Sequence, residues 1–149
     1  MIQGRILLLG ARRRYDEIVQ TVGPATGVDG QADVLLVAAN VLATSPAHRD
    51  QAIGLCDRAA TLAPENAAVL LLLGDLEYQR GDAAAAQRAY RAVLERQPAL
   101  PVALNNLAWV LAAEGKDSEA ALTLARQAVA HVPTDPNFRD TLAFVLRQA

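Results

Sequence analysis

The strongest constraint in this chain is a pattern that returns every 34 residues. Take Leu70, Leu73, Gly74, Ala86, Tyr90 and Pro98, in which Ala86, Tyr90 and Pro98 follow Gly74 by 12, 16 and 24 positions. A shift of 34 upstream meets Leu36, Ala39, Asn40, Ala52, Cys56 and Pro64, with the same internal steps. The same shift downstream meets Leu104, Leu107, Ala108, Ala120 and Leu124, and the proline arrives one residue late as Pro133. A fourth copy begins with Arg139, Leu142 and Ala143. Periods of about 20 to 50 residues belong to stacked units, none of which can bury its apolar face alone.

Each copy reads as two helices. Gly81-Asp82 separates the apolar stretch Leu70 to Tyr78 from Ala83 to Leu94, which predicts a glycine C-cap followed by an aspartate N-cap. Gly115 to Ser118 breaks the next copy in the same place, with Asp117 or Ser118 as the cap, and Ser45-Pro46 breaks the first. Composition agrees with this reading. There are 31 Ala and 22 Leu against 17 Val plus Ile, an excess of strong helix formers that excludes a sandwich or barrel.

Apolar-x-x-Leu-Gly in a first helix, Ala-x-x-x-aromatic in a second and a closing proline resemble the tetratricopeptide repeat (TPR) family. The resemblance covers Asp33 to Asp135 and implies an all-α, right-handed TPR superhelix, a solenoid of antiparallel helix pairs. Three repeats are expected within 32–135, at about 33–66, 67–100 and 101–135, followed by a terminal helix or half repeat over 136–149. Small residues at Asn40, Gly74, Ala108 and Ala143, and at Ala52, Ala86 and Ala120, would let paired helices approach closely. Tyr90, Leu124 and Cys56 would fill the space between pairs.

Residues 1–31 predict a degenerate helical hairpin, because Tyr15, Ile18, Val19 and Val22 recur as i, i+3, i+4 and i+7 before Gly23-Pro24. The rival is a buried strand, Arg5 to Gly10, opening a phosphate-binding turn. Gly10 is followed by Ala-Arg-Arg-Arg and not by further glycines, which argues against it.

No arrangement in the chain points to catalysis, to a cofactor or to a metal. His48 and His131 fall at helix ends, where solvated histidines are expected. Cys56 occupies the slot of Tyr90 and reads as a packed thiol. Asp16, Glu17, Asp57, Glu95 and Glu119 read as helix-surface charges, and no GxxxxGK[ST], GxGxxG or GxSxG motif occurs. The formal charge of −2 carries no basic stripe beyond Arg12 to Arg14, so nucleic acid is not an expected partner. No apolar run approaches the roughly 18 residues of a membrane span.

The family resemblance implies that the first helices of the pairs line a concave face that holds a peptide or protein segment. Phase places Val37, Val41, Leu71, Asp75, Tyr78, Asn105, Asn106, Trp109, Asp140 and Phe144 on that face. A tryptophan beside amides can anchor a side chain while holding a peptide backbone, although Trp109 reads equally as partly core. One TPR subgroup clamps a terminal carboxylate with basic residues and asparagines. Asn106 matches one of those asparagines, but Val34, Val37 and Val102 stand where basic residues would be needed. The expected ligand is therefore a segment with apolar side chains.

Phe138, Leu142 and Val145 form a stripe on the last helix, which predicts either continuation of the chain or association of copies through that helix. Leu104-Asn-Asn-Leu-Ala-Trp and Asp140-Thr-Leu-Ala-Phe are similar to bacterial TPR proteins of exopolysaccharide and cell-envelope systems, and 13 Arg against one Lys fits a GC-rich bacterial genome. A self-assembly module and a regulatory part of such a larger protein are the alternatives to a binding scaffold. The lone Cys56 and the absence of a secretory pattern at the start make a cytoplasmic setting the default, with a periplasmic one open if the chain is a fragment.

Overall fold

The computed structural model describes residues 2–22 and 31–148. Among them it contains nine α-helices and no strand: α1 (Ile2–Ala11), α2 (Tyr15–Val22), α3 (Gln31–Ala43), α4 (Arg49–Leu62), α5 (Ala67–Arg80), α6 (Ala83–Arg96), α7 (Pro101–Ala113), α8 (Ser118–His131) and α9 (Pro136–Gln148). A 3₁₀ turn, Pro46–His48, leads into α4. Residues 5–10 lie within α1, so the strand alternative is excluded. The Gly23-Pro24 stop lies outside the described residues. The chain divides into two compact units, 1–76 and 77–149, with residues 67–76 of α5 in the first.

In the first unit α3 packs against α1, α2 and α4. Its buried residues, Leu35, Ala38, Ala39 and Leu42, recur as i, i+3, i+4 and i+7, and those of α4 are Ala52, Ile53, Leu55, Cys56 and Ala59. Ile6 and Leu9 of α1 and Ile18 and Val22 of α2 complete this core with Val69 and Leu76 of α5. Each fully buried aliphatic side chain contributes roughly 1.5 to 3 kcal/mol. Gly10 lets α1 come close to α3, because a methyl group there would overlap Val41 Cγ1. Arg58 Nη1 donates to the Val22 carbonyl at 3.3 Å and ties α4 to the end of α2.

In the second unit α7 packs against α6, α8 and α9. The Asp82 side chain caps α6, accepting from Ala85 N at 2.8 Å, after Gly81 reverses the chain at φ +97°. Asp117, at φ 46°, caps α8 by accepting from Ala120 N. Of the two alternative caps for α8, the aspartate is the one used.

These caps correct the repeat register. Gly81 and Gly115 are 34 residues apart, but the N-caps Asp82 and Asp117 are 35 apart. The additional residue therefore sits in the α7–α8 turn and not before Pro133. In consequence Ala121, Ala125 and Ala128 are fully buried, whereas Ala120 and Leu124 are only half-buried. The structural equivalents of Ala86 and Tyr90 are Ala121 and Ala125. Two more of the small positions also differ: Asn40, whose Nδ2 donates to the Leu36 carbonyl, is exposed, and so is Ala143. Ala52, Gly74, Ala86 and Ala108 are buried.

Candidate functional site

Helix α7 presents Val102, Asn105, Asn106 and Trp109 on one face, and Pro101 at its first turn starts the helix with φ already suited to it. Trp109 is 37% exposed and stacks on Phe144 of α9, with ring centroids 4.3 Å apart and planes 25° from parallel. Its Nε1 donates to the Tyr78 hydroxyl at 3.2 Å. Three aromatic side chains, spaced along the sequence by roughly one repeat, thus form one platform. Phe144 and Tyr78 are half-buried, and Asp140 is exposed one turn before Phe144.

One turn before Trp109, Asn105 Nδ2 donates to Asn106 Oδ1 at 3.2 Å. Asn105 Oδ1 is shielded from solvent and has no hydrogen-bond partner among the described residues. A shielded acceptor left without a donor costs about 1 to 3 kcal/mol, which a rotation of the half-buried Asn105 amide that turned Oδ1 toward a ligand N–H would recover. Stacked rings offer an apolar surface to an adjacent side chain. The structure brings Tyr78, Trp109 and Phe144 into contact and places Asn105 and Asn106 one turn earlier on the same helix; the Trp109 ring is both packed and accessible.

The remaining residues of the expected face belong to the first unit. Val37 and Val41 line a cleft of about 390 Å³ together with Leu7, Gly10, Ala11, Asn40 and Thr44. Leu71 and Asp75 are half-buried on α5. The contribution of α1 to this cleft is not readable from the repeat, because Ile6 falls where the other copies carry a small residue.

The expected association face on α9 needs correction. Phe138 and Val145 are buried, and Phe138 packs with Leu104 and Ala128 in the interior of the second unit. Only Leu142, half-buried, keeps part of its surface. The apolar stripe belongs to the core, because α9 packs on both α7 and α8.

His48 also departs from expectation. Its side chain is mostly shielded, with Nδ1 2.9 Å from Ser45 Oγ, Nε2 3.3 Å from an Asp16 carboxylate oxygen, and the Tyr15 ring 5.0 Å away. It fastens α2 to the α3–α4 turn. His131 is exposed at the end of α8. Burial pushes the Cys56 thiol up to about 12, with Asp57 adding to the effect. Among the described residues no three His, Cys, Asp or Glu side chains could hold a metal ion, and no helix is long and apolar enough to cross a membrane.

The tetratricopeptide repeat model matches residues 47–86 and 71–136, more than half of the chain, and the chain belongs to that family. Solved structures share the fold at low identity. A MamA protein superposes with a TM-score of 0.79 at 14% identity, over 99% of this chain and 82% of that one. A tetratricopeptide repeat protein from Parabacteroides merdae gives 0.84 at 12%, over 99% of this chain and 58% of that one. The first TPR of Spaghetti (RPAP3), bound to the HSP90 peptide SRMEEVD, gives 0.73 at 16%, over 80% of this chain and 94% of that one. No curated protein matches the sequence significantly.

Proposed function

We propose that this chain is a non-catalytic interaction scaffold that holds a peptide or protein segment on the trough formed by α7, α9 and the end of α5. The observation that carries this reading is the unpartnered Asn105 Oδ1 beside the accessible Trp109–Phe144 stack. A segment would seat an apolar side chain on the stacked rings and donate a backbone N–H to Asn105 once the half-buried amide turns its Oδ1 outward. Membership of a family of helical interaction repeats, and a structural neighbour bound to a peptide, support the same reading.

The test is selection of binders from a random peptide library with the purified protein, followed by titration of the selected peptides. The chain has one tryptophan, so Trp109 fluorescence reports occupancy directly. Selected peptides should share an apolar residue and lose about tenfold or more in affinity, at least 1.4 kcal/mol, for the Asn105→Ala variant. For Trp109→Ala, calorimetry replaces fluorescence. Unchanged affinity in both variants would overturn the proposal.

Of the alternatives, self-assembly through α9 loses most of its surface to the core, leaving Leu142 and the exposed Leu146. Placement within a larger envelope protein rests on the sequence similarity alone.

A further inference from the structure

Seven large apolar side chains stand exposed among the described residues, and three of them, Ile2, Leu7 and Leu8, fall within the ten residues of α1. Such clustering on one short helix marks a contact surface, whereas single exposed apolar residues need no explanation. The three differ in direction. Leu7 edges the α1–α3 cleft, and Ile2 edges a cavity of about 550 Å³ between α1 and α2. Leu8, 52% exposed, borders neither of these. It follows Ile6 by two steps of about 100°, so it projects on the side of α1 opposite the core that Ile6 and Leu9 enter.

Helix geometry also fixes the neighbours of Leu8 on this outer side. Residues three and four apart lie next to one another, which puts Arg5 and Arg12 along one edge of Leu8 and Gly4 and Ala11 along the other. Arg12 keeps the helical register, since its N donates to the Leu8 carbonyl at 3.2 Å. All four residues are exposed. A methyl group added at Gly4 would meet nothing within 4 Å, so no wall rises beside Leu8. The outer side of α1 is thus an open ridge with an apolar crest and a basic edge.

Charge is distributed unevenly about this ridge. Residues 1–15 contain four arginines and no acid, which leaves 10 of the 14 basic and all 16 acidic side chains to the other 134 residues. The two acids that follow are already engaged, because Asp16 lies against His48 and Glu17 pairs with Arg14. Arg5, Arg12 and Arg13 have no ion-pair partner among the described residues.

We propose that the outer ridge of α1 docks on an anionic lipid bilayer. Leu8 enters the interfacial layer, and Arg5, Arg12 and Arg13 meet the phosphate groups of acidic lipids. Shape and charge together select this occupant. A protein segment is held by pockets that take individual side chains, whereas a bilayer offers an apolar medium to a projecting residue. Acidic headgroups attract the arginines and repel the acidic remainder of the chain, which turns α1 toward the surface. Nucleic acid would satisfy the arginines but gains nothing from an exposed leucine. The mode is peripheral, in keeping with the absence among the described residues of a helix able to cross a membrane.

The test is co-sedimentation of the full chain with vesicles of phosphatidylcholine alone and of a phosphatidylcholine–phosphatidylglycerol mixture. The chain should sediment with the mixture only, and less so as salt is raised. Leu8→Ser should lower the partition coefficient by about tenfold or more, and so should the double variant Arg5→Glu, Arg12→Glu. In a Leu8→Trp, Trp109→Phe variant the one tryptophan sits on the ridge. Its emission should move to shorter wavelength on the mixed vesicles and be quenched by brominated lipid. Trp109→Ala should sediment as the unaltered chain does, which keeps this test separate from that of the α7–α9 trough. Circular dichroism establishes that the variants remain folded, as substitution of exposed residues predicts.

Equal sedimentation with neutral vesicles, none with the mixture, or a tryptophan at position 8 that neither shifts nor is quenched would overturn the proposal. So would full binding by Leu8→Ser, because the attraction would then be charge alone. A dimer in the absence of lipid that Leu8→Ser abolishes would assign the ridge to a second copy instead, and retention on immobilised polyglutamate without binding to vesicles would assign it to an acidic protein.

Discussion

Gly10 lies directly against Val41, with no room between them for a methyl group. Gly54, in α4, faces open space. The same substitution therefore has opposite signs at the two sites. Gly10→Ala should destabilise the protein by about 1 to 2 kcal/mol, because overpacking against a stiff β-branched side chain outweighs the better helix propensity of alanine. Gly54→Ala should stabilise it by about 0.5 to 1 kcal/mol. Urea denaturation of both variants measures the difference.

The displaced register of α8 gives a second pair. Ala121 is fully buried and Ala120 is half-buried. Ala121→Leu should cost about 1 to 3 kcal/mol through overpacking, as should Ala86→Leu, while Ala120→Leu should cost clearly less. Thermal melts of the three variants rank them. Equal effects at 120 and 121 would mean that the extra residue is not in the α7–α8 turn.

Burial of Cys56 sets a pH dependence. Its thiol is raised from an ordinary 9.0 to about 12 in the folded chain. Between these values the unfolded chain loses this proton and the folded chain keeps it, so the group's contribution to stability falls as pH rises above about 9. The slope approaches about 1.4 kcal/mol per pH unit. Cys56→Ala should remove that slope. Alkylation by iodoacetamide at pH 8 should be slow in the folded protein and rapid in urea.

The aromatic platform predicts a spectroscopic change. Phe144→Ala removes the ring that covers Trp109, so emission from this one tryptophan should move to longer wavelength. The loss in stability should exceed that of Tyr78→Phe, which deletes only a partly exposed hydrogen bond worth about 0.5 to 1.5 kcal/mol. Steady-state fluorescence and denaturant titration of both variants check the order.

Much of the fold was readable from local signals, since the Gly81-Asp82 and Gly115-to-Asp117 breaks mark where helices stop and start. The position of the extra residue was not, because Ala120 and Ala121 are chemically identical and only the cap at Asp117 tells them apart. For α9, periodicity identified the stripe of Phe138, Leu142 and Val145 but not its neighbours. An apolar stripe looks the same in sequence whether it meets solvent, another copy or the α7–α8 pair. The site was partly legible: phase put Asn105, Asn106 and Trp109 on one face, and repeat spacing brought in Tyr78 and Phe144. The unpartnered state of Asn105 Oδ1 depends on side-chain geometry that no pattern carries. The setting of His48 depends likewise on Asp16, 32 residues earlier in the chain.

The alanines that seal α3 against α4 bear on the speed of folding. Ala38, Ala39, Ala52 and Ala59 are wholly buried, yet an alanine has no rotamers to lose when it is enclosed. Closing this hairpin therefore removes less side-chain freedom than closing one lined with leucine or methionine. Its two helices are also neighbours in sequence, so little chain must be ordered before they meet. The α3–α4 pair is accordingly suited to form early, as a nucleus onto which α1 and α2 dock.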